Sequence, residues 1–468
     1  MAKQAVVIGG GISGLAAAYF LKKESQRRGL DIHVLGMEAS PHLGGMIQTH
    51  FHEGCLVERG PDAFATERPA MLDLCRELGL ESELISVQPE SHGLFLREKN
   101  KLCRLPDDFC GMTSMKLSTL LRLPCLSLKG KLRMACEGLV PRCRGDLPES
   151  LGGFIERRFG SEALARLAQP FLGSIFGLDL RQVGLQASFP HWSSLEAKHG
   201  SLTKAFWAAK RNSAAIVSVG FRSFRKGLSM LVEKLVETAG VDWQTGVHVV
   251  SLRKNNEGWK VFCADGKKLE ADTVFLCVAA KLAGRLIEED FPELAECLKL
   301  QPIRSVFLVN AIFHRNDWPK DLRGSGIISG MDAANEMQGA TFSGFKFKGR
   351  APQDKVLVRI FGSSLKSKSF AALSNEEVVK RILHDFCAVS GIKSNPVWSE
   401  GIRYEEILPS YDMNYSAWKQ KTETLLKNQN GIYFAGQSYQ SGGLSGCVAG
   451  AQKAAETFLS SLEKDCSA

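Results

Sequence analysis

Three glycines near the start of this 468-residue chain have the spacing of a phosphate-binding loop. Gly9, Gly11 and Gly14, within "AVVIGGGISGLAAAYFLKKE", form GxGxxG. In such a loop the first glycine permits a tight turn, the second admits a pyrophosphate, and the third lets a helix pack closely on a strand. The helix N-terminus then presents unpaired N–H groups to the phosphates. Glu38 lies 24 residues beyond Gly14, at the end of "LDIHVLGMEAS". A carboxylate there is placed to accept hydrogen bonds from a ribose diol, and an acid at that position disfavours a ribose phosphate. Gly44 and Gly45 follow in "ASPHLGGMIQT", and would let the backbone reach the same pyrophosphate from its other side. A second approach of that kind suits an extended FAD better than a nicotinamide dinucleotide.

These residues need a strand, a tight turn and a helix to position them, and the local sequence supplies all three. "QAVVI" reads as a buried strand and "SGLAAAYFLKKE" as a helix. A short membrane span is the rival reading of this opening. The apolar run Ala5–Leu21 has 17 residues, fewer than the roughly 20 needed to cross a bilayer.

Further along, residues from about 90 to 215 read as mainly helical, with apolar residues at mixed helical spacing in "LGGFIERRFGSEALARLAQPFLGSIF". "FRKGLSMLVEKLVETAG" reads as a helix. Short strands follow, with turns at Asn255-Asn256 and Asp265-Gly266. "SVFLVNAIF", "GSGIISG", "ATFSGFKF" and "KVLVRIFG" predict an antiparallel sheet, with a helix over about 374–390 after it. "NGIYFAGQSYQSGGLSGCVAGAQKAAETFL" ends the chain as strand, glycine-rich loop and helix. The expected fold class is α/β: a Rossmann-like dinucleotide domain, an inserted helical domain and a mixed α+β substrate domain. Its parts are placed at 1–85 and 216–290 with 421–468 for the dinucleotide domain, 86–215 for the helical insertion and 291–420 for the substrate domain.

Composition narrows the class of partner. Lys plus Arg number 59 against 50 Asp plus Glu, a net +9 that favours anionic ligands or surfaces without requiring nucleic acid. Between Arg97 and Arg144 stand 11 basic and 4 acidic residues among many Leu and Met, which suits an anionic membrane surface or the border of a cavity for an acidic ligand. The 13 cysteines show no metal-site spacing and read as free thiols, mostly buried, in a reducing compartment. The expected location is cytoplasmic or peripheral on a membrane. No HExxH pair, serine-centred elbow or metal cluster appears, so no catalytic side chain and no metal site is assigned.

Taken with the terminal motif, the glycine-rich start resembles the FAD-dependent amine oxidase superfamily. The intervening pattern is most similar to the protoporphyrinogen oxidase family, including its coproporphyrinogen-oxidising branch. Gly436, Gly443, Leu444 and Ser445 match the loop and helix that close over the flavin in that family, and Val249 matches the strand beside adenine. "VERGPDAFATERPAMLDLCRELGL" resembles the segment entering the porphyrinogen cavity, with Arg68 where a basic residue would meet a propionate. "LAQPFLGSIFGLDL" resembles the wall facing the flavin ring, which implies lining roles for Gly173 and Phe176. "IRYEEILPSY" matches a family segment at Arg403, Pro409 and Tyr411, with Tyr404 in place of a Trp. The resemblance implies bound FAD, a porphyrinogen with propionate side chains as substrate, and dioxygen as electron acceptor. The implied reaction is the six-electron oxidation of protoporphyrinogen IX in haem biosynthesis, with hydrogen peroxide formed. Coproporphyrinogen III oxidation, a flavin amine oxidase or a desaturase are the enzymatic alternatives. A redox-inactive FAD-bearing interaction protein is the non-enzymatic one. Nothing in the sequence speaks to oligomeric state.

Overall fold

The computed structural model describes residues 3–66, 68–91, 93–109, 116–143, 148–211, 220–332, 334–427, 429–440 and 443–465. The opening motif folds as a strand β1 (Lys3–Ile8), a helix α1 (Ile12–Arg28) and a strand β2 (Ile32–Glu38). β1 runs in the middle of a five-stranded sheet in the order 242–245, β2, β1, 273–276, 432–434, with every pairing parallel. A parallel sheet is covered on both faces, which accounts for the uninterrupted apolar run of β1, whose Ala5, Val6 and Val7 are fully buried. The strands come from three widely separated stretches of chain. Ala16, Ala17 and Ala18 of α1 are buried with Ala451 and Ala455 of the final helix Gly443–Asp465 in one core cluster, where small side chains let the two helices approach closely.

A second, seven-stranded sheet has the order 398–409, 303–314, 355–362, 337–341, 326–328, 94–98, 101–104. Strand alternation gives it two unlike faces. Phe307, Val309, Ala311 and Phe313 pack with Val358 and Ile360 under Val378, Ile382 and Phe386 of the helix Asn375–Ser390. That helix is fixed at its start by a capping box, Ser374 with Glu377. The opposite face carries Leu308, Asn310, Arg359 and Tyr404, the last three of which bond the backbone of Glu58, Gly60 and Arg59.

Strands Leu94–Glu98 and Lys101–Arg104 join this sheet, so the stretch expected to be mainly helical from about 90 opens with a hairpin. Helices follow from Leu117 onward. The mixed apolar spacing of the "LARLAQPFLG" stretch has a cause: residues Leu164–Gly173 wind as a π-helix containing Pro170, and wider turns bring different residues onto one face.

This helical region is tied together by a buried ion network. Arg158 and Glu137 are both fully buried and paired. Glu137 also accepts from Ser201 Oγ at 2.5 Å and from the backbone N–H groups of Leu202 and Thr203 at 3.2 and 3.1 Å. Arg158 donates to Glu196 Oε1, Val140 O and Gly200 O, each at 3.0 Å. No helix among the described residues is long and apolar enough to cross a membrane. Of the eleven described cysteines, all unpaired, six are buried and Cys143 alone is exposed.

Candidate active site

The glycines of the first motif are explained by what a side chain would strike. A Cβ on Gly14 would lie 1.8 Å from the carbonyl oxygen of Gly9, and one on Gly9, at φ +105°, would lie 2.7 Å from the carbonyl of Cys277. Gly11 differs, because a Cβ there meets nothing within 4 Å. It precedes α1, whose start has no side-chain cap and no acid in the first helical turn, so no side chain of its own takes the N–H groups of that helix end.

The second glycine pair closes on the first. Gly44 donates its N–H to Gly10 O at 2.8 Å, and a Cβ on Gly45 would lie 3.2 Å from the Cα of Gly11. Gly436 completes the rim, since a Cβ there would meet only Ser13 Oγ, at 3.7 Å. Ser13 in turn hydrogen-bonds the buried Cys447 thiol of the final helix. These glycines thus surround a space at the start of α1 sized by missing side chains, which fits a pyrophosphate.

Glu38 is oriented before any ligand arrives. Its carboxylate accepts from Gly10 N at 2.5 Å and from Ser40 N at 2.8 Å, leaving acceptor sites for a diol. The carbonyl of Glu38 accepts from Val247 N at 3.0 Å, which brings the strand Val249–Asn255 alongside; Val249 itself is part-buried there.

From this cradle a chain of contacts leads outward. Ser445 Oγ, near the start of the final helix, donates to Ala65 O at 3.3 Å, while Leu444 packs on the core and Gly443 sits at φ +60°. Three residues past Ala65 stands Arg68, which is exposed. The Tyr411 hydroxyl is pushed up to about 12, chiefly by burial and by nearby Cys447, with Arg304 and Arg68 opposing. The Tyr411 ring meets Phe176 edge-on at 6.4 Å, and Phe176 meets Phe189 edge-on at 5.9 Å.

On the sheet side, Tyr404 donates its hydroxyl to Arg59 O at 3.0 Å. Burial raises the Tyr404 phenol above its ordinary value. Arg359, 3% exposed, donates to the adjoining Gly60 O, and a Cβ on Gly60 would collide with Met46 O, one residue past Gly45. Tyr404 and Arg359 thus brace the peptide that leads from the glycine cradle. Asp62 is close by. Burial pushes its carboxyl up, but Lys346 at 3.2 Å and Arg359 outweigh that and bring it to about 2.

Most of the residues singled out in the sequence are brought together, and two are not. Gly173 is buried at the end of the π-helix, where a Cβ would strike Gln169 Nε2 at 2.3 Å, so its visible constraint is internal packing. Arg403 turns to the far face of the sheet, over Phe307 and bonded to Leu373 O at 3.0 Å. It borders a separate groove of about 230 Å³ with Phe370 and Glu405. Arg304, Arg359 and Ser13 also stand along these contacts, although the motifs do not single them out. A lone arginine inside the apolar run "KVLVRIFG" was the available signal for Arg359.

Residues 12–459 match the family of flavin containing amine oxidoreductases, and the chain belongs to that family. It is an FAD-dependent oxidoreductase, with FAD as the group that the glycine cradle fits. Its relatives include coproporphyrinogen III oxidase of Bacillus subtilis (strain 168), 28% identical over 454 residues, covering 95% of this chain and 96% of that one. Protoporphyrinogen oxidase of Homo sapiens is 29% identical over 493 residues, covering 98% and 99%. A crystal structure from Exiguobacterium sp. 255-15, provisionally named a protoporphyrinogen oxidase, superposes with a TM-score of 0.83 at 25% identity, covering 98% of each chain. A putrescine oxidase variant shares the fold, at a TM-score of 0.70 and 18% identity over 98% of this chain and 99% of that one. Among the described residues no group of His, Cys, Asp and Glu is placed to hold a metal ion.

Proposed function

We propose that this chain oxidises a porphyrinogen, with protoporphyrinogen IX as the substrate and dioxygen as the acceptor. The observations that carry the reading are the bond from Ser445, at the start of the final helix, to Ala65 O, three residues before Arg68, and the edge-on packing of Tyr411 on Phe176, the Tyr411 hydroxyl feeling both Cys447 of that helix and Arg68. Bound FAD supplies the hydride acceptor for such a reaction. In this reading Gly9, Gly11, Gly14, Gly44, Gly45 and Gly436 hold its phosphates, Glu38 its ribose and Val249 its adenine. Gly443, Leu444 and Ser445 stand beside the ring. Phe176 and Tyr404 offer flat contact to a macrocycle, Gly173 supports that wall from behind, and Arg68 orients a propionate. No side chain is assigned to proton transfer, because pyrrole nitrogens can release their own protons. Residues 1–85, 216–290 and 421–468 form the FAD-binding unit, and 86–215 and 291–420 the walls of the substrate cavity.

A second substrate is favoured by the relatives, several of which are named coproporphyrinogen III oxidases. One experiment tests both. The FAD-loaded protein is mixed anaerobically with protoporphyrinogen IX or coproporphyrinogen III, then exposed to air. Bleaching of the flavin and porphyrin fluorescence above the enzyme-free rate are the expected results, and the faster substrate names the branch. A flavin that neither compound reduces refutes the proposal.

Contact with an anionic membrane surface belongs to the same reading. Leu117, Leu121, Leu128, Leu132 and Leu139 are 58–82% exposed within one short helical stretch, and Lys116, Arg122, Lys129 and Arg142 are exposed beside them. Sedimentation with phosphatidylglycerol vesicles should carry the wild-type protein down, and the double substitution Leu128→Glu with Leu132→Glu should leave it in the supernatant. Equal sedimentation of both would remove this part of the proposal.

A further inference from the structure

Arg304 stands near the start of the long strand Ile303–His314, where pairing with Trp398–Pro409 is irregular between Arg304 and Val306. Such irregularities re-aim a side chain away from the regular alternation of a sheet. The Arg304 guanidinium crosses to the helical region, where Nη2 donates to Ile175 O at 3.1 Å. Nη1 lies 2.9 Å from the place a Cβ on Gly177 would take. Gly177 has φ +64°, so its lack of a side chain both permits the turn and leaves the guanidinium its room.

One hydrogen bond to a carbonyl uses little of a group that has five donors. Among the described residues no carboxylate pairs with Arg304, and burial disfavours its charge. A cation held part-buried without a counter-ion is costly unless an anion completes it. If bonding Ile175 O were the whole purpose, a neutral amide would serve at lower cost. The surroundings point to the class of anion. Phe176 lies between Ile175 and Gly177, its ring against Tyr411, and Arg68 acts on that same Tyr411 hydroxyl. The Arg304 guanidinium therefore stands against the backbone on either side of Phe176, at Ile175 O and Gly177.

We infer that Arg304 is a second carboxylate-binding residue of the substrate site, holding a propionate other than the one assigned to Arg68. This rests on the porphyrinogen reading above. It adds that the substrate enters with two carboxylates on one edge, each with its own arginine. The planar fork of Arg304 suits bidentate carboxylate binding, which a lysine at the same position would not reproduce.

The test uses the FAD-loaded wild-type protein and Arg304→Gln, with the product porphyrins as probes. Coproporphyrin III, protoporphyrin IX and coproporphyrin tetramethyl ester are titrated while porphyrin fluorescence is followed, and KM and kcat are measured with both porphyrinogens. Loss of a charged hydrogen bond should weaken binding of the two free acids by roughly 10- to 100-fold and raise KM in step, with a smaller change in kcat. The ester, which carries no charge, should bind both proteins alike. Free acids that bind the variant within twofold of wild type, or an ester weakened as much as the acids, would overturn the inference and leave the porphyrinogen reading standing. A wild-type protein that neither binds the porphyrins nor is reduced by the porphyrinogens removes that reading, and this inference with it. If Arg304→Gln sheds FAD, Arg304→Lys takes its place, with a loss of about 3- to 10-fold for the acids expected and an unchanged affinity counting against it.

Discussion

Substituting Glu137 by Gln should loosen the helical region before it disturbs the cofactor. Glu137 is fully buried against Arg158, and three further donors from Ser201, Leu202 and Thr203 complete its carboxylate. Removing one charge of a buried pair costs about 3–5 kcal/mol, because the other is left without compensation. Glu196 Oε1 still reaches Arg158 at 3.0 Å but is shared with Arg157, so the lower end of that range, about 3 kcal/mol, is expected. With a urea dependence of roughly 1–3 kcal/mol per molar, the midpoint should fall by about 1–3 M. Tryptophan fluorescence should report it, since Trp192 stacks on Phe189 at 4.5 Å within this region. Release of flavin, followed by its own fluorescence, should shift less. Because Phe176 is carried by the same region, porphyrin affinity should fall while FAD is retained. The pair also sets a pH dependence. Burial pushes the Glu137 carboxyl up, but hydrogen bonds from Ser201, Thr203 and Arg158 outweigh it and hold it below the usual glutamate value. A group depressed on folding contributes stability at neutral pH and loses it as pH falls through the folded pKa. The wild-type protein should therefore lose more stability on acidification than Glu137→Gln, whose acid limb keeps only the contributions of other carboxylates such as Asp62. A midpoint within about 0.3 M of wild type, or identical acid limbs, would refute the argument that this network holds the region together.

Other perturbations follow from the same geometry. Gly14→Ala places a Cβ 1.8 Å from the carbonyl of Gly9, so α1 must move off the turn and the protein should purify with little FAD; a wild-type ratio of absorbance at 450 and 280 nm would contradict this. Asp62, brought down to about 2 from 3.8, contributes stability that is present above about pH 4 and is lost as the pH falls toward 2. Lys346→Met removes the leading cause of that depression, so its acid-induced unfolding should begin at higher pH than that of wild type, and superposable curves would count against the assignment.

Local pattern carried the cofactor end of the molecule. β1, α1 and β2 follow from apolar runs and glycine spacing, and the pair Gly44-Gly45 was expected on the far side of the phosphates. The bond from Gly44 N to Gly10 O puts the two loops together. What stayed hidden was non-local. Strands Leu94–Glu98 and Lys101–Arg104 look unremarkable until Leu94–Glu98 pairs with Gly326–Ile328, more than two hundred residues away. Arg304 gave no signal because an arginine at a strand end is ordinary, and only the bulge beside it turns the side chain toward Ile175. The π-helical winding of Leu164–Gly173 likewise disturbs a periodicity that presumes regular turns. Arg68 needed the resemblance to be noticed at all, since an exposed arginine has no pattern of its own.

The parallel sheet takes its last strand, Ile432–Phe434, and the helix lying against α1 from the end of the chain. During synthesis the first strand leaves the ribosome more than four hundred residues before its outermost companion. Until then the alanine face of α1 has no helix to cover it, and the phosphate cradle lacks Gly436. Loop closure over such a separation is slow, and an uncovered apolar face in the interval is what holding chaperones bind. The cofactor can thus be captured only once the strand Ile432–Phe434, Gly436 and the helix after them have been made. A copy broken off before residue 432 would be colourless as well as unstable, and FAD retention would serve as a stringent mark of translation through the helix Gly443–Asp465.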